Sequence, residues 1–143
     1  SMTNQEESAM SQIDVSQEKD ILILKPVGQL DGQTYQDLIS KAKESYQTGA
    51  RNMVLDLSDL TYISSAGLVA LHFIALLARG ESVPDTENGW AALKSAERSR
   101  TDGIQKNVKL LNPREEILKV LDMVGFTTFF EIYTDKQQAI NSF

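Results

Sequence analysis

Two adjacent hydroxyls, Ser64 and Ser65, separate an apolar run ending at Leu57 from a longer one beginning at Ala66. If the second run is a helix, both serines fall at its start. Backbone N–H groups there lack partners, and the aligned peptides leave partial positive charge. Three chemistries suit such a place: a side-chain cap, a bound anion or a phosphorylated serine. Asp56, at the end of the preceding apolar run, is a second conceivable phosphate acceptor. The rest of the nucleophile inventory is thin. One histidine, His72, and no cysteine leave no thiol chemistry and little material for a metal cluster or a histidine-based triad. The sequence contains neither G-x-x-x-x-G-K-[ST] nor G-x-G-x-x-G, so nucleotide binding has no motif behind it. No catalytic residue, metal site or cofactor is predicted.

The elements that would hold these serines can be read from pattern. Met53 to Leu57 is a continuous apolar run ending in polar residues, as expected of a strand covered on both faces. Residues 58–63 read as a short polar turn, and the helix opens at Ser64–Ser65. Ile13 to Ser16 and Ile21 to Val27 read as two earlier strands, with Pro26 near the second one's end, where a lost N–H does least harm. Gly28-Gln29-Leu30-Asp31-Gly32 reads as a turn. Thr34 with Asp37 three residues on resembles a capping box. The helix that follows places Tyr35, Leu38, Ile39, Ala42 and Tyr46 on one face, and Gly49 stops it.

Later in the chain, Val108 to Leu111 is a strand. Pro113 suits a first helical turn, and Ile117, Leu118, Val120, Leu121 and Val124 form that helix's apolar face up to Gly125. Phe126 to Tyr133 leads through a turn to a short strand, and Thr134 caps a last helix of roughly two turns. Strands alternating with helices predict an α/β fold. The expected sheet is mixed and largely parallel, with four to five strands, helices packed mainly on one face and the first strand antiparallel near an edge. Residues 80–107 interrupt this rhythm and read as an insertion, with one short helical candidate, Gly89 to Arg98. Residues 1–11 are polar and acidic and read as disordered, with Ser1–Met2 resembling a tag remnant.

Composition narrows the partners. The chain has 143 residues and a net charge of −6, enough for one domain with a core and the wrong sign for a nucleic-acid surface. The most apolar run, Ala66 to Ala78, is too short to span a bilayer, so no direct membrane insertion is expected. No signal peptide is visible, and a cytoplasmic location is the expectation.

Three segments resemble the STAS domain, specifically the bacterial anti-sigma factor antagonist family. They are Gly28-Gln29-Leu30-Asp31; Asp56-Leu57-Ser58 with Ile63-Ser64-Ser65-Ala66-Gly67-Leu68; and Leu111-Asn112-Pro113 before a helix ending at Gly125-Phe126. The resemblance covers about residues 12 to 141 apart from the insertion. It implies a STAS-type fold and a serine, two places before the glycine Gly67, that a kinase phosphorylates. On this chain that serine is Ser65, with Ser64 as the alternative, because Ser64 stands where the family commonly has aspartate. It further implies a non-enzymatic module whose partners are a serine-kinase anti-sigma factor and a metal-dependent serine phosphatase. Asp31 is a turn or cap residue that the family places near the serine.

Helical spacing puts Ser65, Leu68, Val69, His72, Leu76 and Arg79 on one side of the second helix. A helix apolar nearly all round is usually core. The sharper reading extends a partner-binding surface from Asp31, Ser64, Ser65 and Gly67 along Leu68, His72 and Leu76. Three other functions stand beside the leading one. The first is a STAS subunit of a larger assembly, such as a lipid-transport complex or a stressosome-like sensor, without a phosphate cycle. The second is a small enzyme or nucleotide hydrolase. The third is a receiver domain using Asp56, but ILILKPVGQL supplies no acidic pair after its strand. Ser58 and Thr61 read as turn formers or secondary phosphosites.

Overall fold

A computed structural model describes residues 10–81 and 104–143. Its apolar runs pair into a six-stranded sheet in the order β1-β2-β3-β5-β6, with β4 also on β2. β1 (Met10–Glu18) and β2 (Ile21–Leu30) form an antiparallel hairpin. β3 (Asn52–Asp56), β4 (Leu60–Ile63), β5 (Val108–Leu111) and β6 (Ile132–Tyr133) all join in parallel. Among the described residues the helices are α1 (Tyr35–Gln47), α2 (Ser65–Ala78), α3 (Glu115–Met123) and α4 (Lys136–Asn141), with a 3-10 turn at Phe126–Thr128.

Strand alternation sorts the core into two layers. Leu22, Leu24, Met53, Leu55, Val108 and Leu110 face α1, α2 and α3. Ile21, Ile23, Val54 and Leu111 face Ala139 and Ile140 of α4 on the other side. The mixed α/β class, the antiparallel edge strand and the one-sided packing of the larger helices are as expected. The insertion at 80–107 and its helical candidate, Gly89 to Arg98, lie mostly outside the described residues, as does most of the N-terminal tail.

The strand count exceeds the expectation because residues 58–63 do more than turn. Leu60 and Ile63 are buried, and β4 pairs along Gly28, Gln29 and Leu30 of β2. That pairing also explains why β2 runs through Gly28-Gln29-Leu30, where a turn was expected. β3 takes residues 21–24 of β2 and β4 takes residues 28–30. Pro26 lies between the two partners, so its missing N–H disturbs neither ladder, although it is not near the strand's end.

Two helix starts also differ from expectation. α3 starts at Glu115, with Arg114 as N-cap rather than at Pro113, and Leu118 is exposed. α4 is capped by Asp135, not Thr134. Gly49 and Gly125 do close their helices, at φ +116 and +83 respectively.

Candidate functional site at the start of α2

The site begins where β2 and β4 end side by side. Leu30 pairs with Ile63, and the Ser64 N–H donates to the Leu30 carbonyl at 3.0 Å. One strand then enters the turn at Asp31 and the other enters α2, so the two turns are neighbours.

Asp31 organises the first turn through backbone and side chain. Its carbonyl accepts from the N–H groups of Thr34 and Tyr35 at 3.1 and 2.9 Å. Its Oδ1 accepts from the Gln33 N–H at 2.9 Å. Thr34 does not form the expected capping box. Its buried hydroxyl instead accepts from the Asp31 N–H and donates to the Gln29 carbonyl, both at 2.9 Å. The short threonine thus satisfies backbone groups inside the turn and leaves Asp37 outside it.

Ser64 is the N-cap of α2. Its backbone is extended, at φ −99 and ψ 179, and its Oγ accepts from the Gly67 N–H at 3.4 Å. Ser65 is the first helical residue and is exposed. The neighbouring hydroxyls therefore occupy different situations, one engaged in the cap and one at the surface beside the electropositive helix start.

Gly67 is buried, and its role is steric. A Cβ added there would lie 2.6 Å from Ile63 Cγ1 and 2.6 Å from the Leu30 carbonyl oxygen. Only glycine lets the first turn of α2 approach the ends of β2 and β4 this closely. Gly67 is therefore a packing residue and not part of a contact surface. The same correction applies to Leu68, His72 and Leu76, which were expected to extend that surface. Leu68 packs in the sheet-side core, and Leu76 packs with Ile39, Val69 and Phe73 between α1 and α2. His72 has no exposed surface and sits with its ring centroid 5.7 Å from Phe129. α2 is apolar all round because the sheet, α1 and the Phe129 region each cover a side.

The buried imidazole is electrically unusual. Among the described residues neither ring nitrogen has a hydrogen-bond partner. Burial, helped by the positive charge of Arg79 and opposed by Glu81, lowers its pKa to about 4. Gln105 is also buried, with its Oε1 unpartnered among the described residues. Among the described residues no group of three or more His, Cys, Asp or Glu could hold a metal.

The Asp56 carboxylate is occupied as a turn former. Its Oδ1 accepts from the Ser58 N–H at 3.0 Å and the Ser58 hydroxyl at 2.7 Å. Arg114 Nε donates to the Ser58 carbonyl at 3.0 Å, tying this turn to the start of α3. Thr61 is exposed, and its hydroxyl donates to the Gly28 carbonyl at 3.1 Å. Tyr62, half exposed on β4 and paired with Gln29, is an aromatic beside the site that pattern reading passed over. Its β-forming neighbours Thr61 and Ile63 were the available signal.

The start of α2 thus presents an exposed serine on the first turn of a helix that is seated on the ends of two parallel strands. Residues 12–81 match the STAS domain. The fold agrees with proteins of that kind. A candidate anti-sigma factor antagonist of Thermotoga maritima superposes with a TM-score of 0.62 at 19% identity, over 90% of this chain and 92% of its own. An anti-sigma factor antagonist of Mycobacterium paratuberculosis gives 0.65 at 13% identity, over 92% of each chain. The phosphorylated form of the Bacillus cell fate determinant SpoIIAA gives 0.54 at 14% identity, over 91% of this chain and 97% of its own. No protein of curated function matches the sequence significantly. Among the described residues no helix is long and apolar enough to cross a membrane.

Proposed function

We propose that this chain is a phosphorylation-switched binding module, an anti-sigma factor antagonist in a partner-switching pathway. Unmodified, it binds a serine-kinase anti-sigma factor and so frees the sigma factor. Phosphorylation at Ser65 releases the kinase, and a metal-dependent serine phosphatase restores the binding form. The observation that carries the reading is the division of labour at the start of α2. Ser64 is held in the cap, while Ser65 is exposed at the first helical position.

The switch has a simple physical basis. A partner packed over Ser65 buries a neutral hydroxyl, which is tolerable when it stays hydrogen-bonded. A phosphate adds about −1.5 to −2 charges at the same point. Burying that anion against an unaltered surface costs several kcal/mol, and each ~1.4 kcal/mol is tenfold in affinity. In the free protein the helix start stabilises the same anion. Asp31, in the adjacent turn, adds a fixed carboxylate to the surface the partner reads. The accessible part of that surface is the exposed Ser65 with the half-buried Asp31 and Ser64 beside it. Gly67 supports it from below.

The test is incubation with ATP and a serine-kinase anti-sigma factor encoded near this chain's own gene, followed by mass spectrometry and binding measurements. Phosphate on Ser65, with Ser65→Asp weakening the complex at least a hundredfold, is the expected result. A chain left unmodified, with Ser65→Asp binding like the parent, overturns the proposal in favour of a STAS subunit without a phosphate cycle.

A further inference from the structure

We infer that the outer edge of β1 pairs with the same edge of a second copy, joining two sheets across a two-fold axis at Val15. β1 is nine residues long and stands at the end of the strand order, with β2 as its only strand partner among the described residues. Natural edges are usually blunted by brevity, proline or an outward lysine. Met10–Glu18 contains neither proline nor lysine, and its irregularity is confined to Met10–Gln12, leaving Ile13–Glu18 in continuous register with β2.

The faces of β1 are fixed by what they touch. Ile13 packs against the core on the α1 side. Val15 and Gln17 line an open groove of about 440 Å³ on the same side, together with Leu22, Ser45 and Ala50. Glu18 is on the opposite side, where its carboxylate pairs with Lys136 of α4 at 2.7 Å. A two-fold axis normal to the sheet places residues of the same face opposite one another, so the centre of the pairing must be a single residue.

Charge excludes the two centres that flank Val15. Centred on Asp14, the pairing would set two aspartates directly opposite. Centred on Ser16, it would set Asp14 against Glu18 twice. Like charges directly opposed destabilise an antiparallel pair. Centred on Val15, it sets Val15 against Val15, Asp14 against Ser16, Ile13 against Gln17 and Gln12 against Glu18, with no like charges opposed. This register also brings the two half-exposed valines (46% exposed) together over the groove. A second copy is thus an occupant whose register and charge fit this edge, and the mid-strand register at Val15 is the one that also joins the exposed valines.

Sedimentation equilibrium of the full chain, unphosphorylated, tests the inference. A dimer is expected, with Val15→Lys raising its dissociation constant at least tenfold while circular dichroism stays unchanged. Ser16→Lys, which faces Asp14 of the other copy twice, is expected to tighten it about threefold, because opposite charges directly across an antiparallel pair attract. A chain that stays monomeric at all concentrations overturns the inference. So does a dimer that is indifferent to both substitutions.

Discussion

The first turn of α2 and the rest of that helix are built from similar sequence and live in opposite environments. Ser65 is open to solvent. From Gly67 onward nearly every residue is buried: against the sheet through Leu68, Leu71 and Ile74, against α1 through Val69 and Phe73, and against Phe129 through His72. One end of the helix can therefore exchange a charge with the outside, and the other cannot accept one without opening the core. An accessible hydroxyl-bearing residue at the exposed end and a rigid support at the buried end follow from the same covering.

The sharpest way to break this contrast is to put a charge in the buried end by acidification. His72 is neutral when folded, with its pKa lowered from 6.5 to about 4, so the unfolded chain binds the proton first as pH falls. Stability from this group is complete above pH 6.5, declines as pH drops toward about 4, and is level below that. Integrated over the window, the loss is roughly 3 kcal/mol. Urea unfolding at several pH values should show this decline, and His72→Leu should remove it. Because the imidazole has no hydrogen-bond partner among the described residues, the leucine variant should be at least as stable as the parent at pH 7. An equal acid decline in both proteins would place the titrating group elsewhere.

Next in size is the support itself. Gly67→Ala gains about 1 kcal/mol of helix propensity but sets a methyl 2.6 Å from the Leu30 carbonyl oxygen and 2.6 Å from Ile63 Cγ1. The backbone of β2 or α2 must move, and overpacking of this kind costs about 1–3 kcal/mol or more. A net destabilisation of about 2 kcal/mol is expected by urea unfolding. A neutral or stabilised Gly67→Ala would mean that the seat is loose.

The same contrast marks what could be read from sequence. The long periodic elements, the buried central strand and the opening of α2 at the serines were legible because apolar spacing and cap chemistry act locally. β4 was not, since Leu60-Thr61-Tyr62-Ile63 owes its extended form to pairing with Gly28, Gln29 and Leu30 far back in the chain. The burial of His72 and Leu76 was also illegible. A helix apolar all round states that it is covered but not by what, and Phe129 lies 57 residues beyond His72. Thr34 failed as a capping-box residue for a related reason. Its hydroxyl had a better partner in the Gln29 carbonyl, which only the folded turn brings within reach.

The smallest effects separate the two serines. Ser64→Ala removes the acceptor for the Gly67 N–H and should cost about 1 kcal/mol, the usual loss for an N-cap. The 3.4 Å distance of that bond argues for the lower half of the usual range. Ser65→Ala replaces an exposed side chain at the first helical position, where alanine is the better helix former. Its effect should stay within about 0.5 kcal/mol. Urea unfolding of both variants under identical conditions checks the pair. If Ser65→Ala were the more destabilising, Ser65 would be holding the helix start together, and a phosphate there would disturb the fold as well as the docking surface. If the order is as expected, the helix start can lose or modify Ser65 without structural consequence, and the residue is left free to report its charge to a partner.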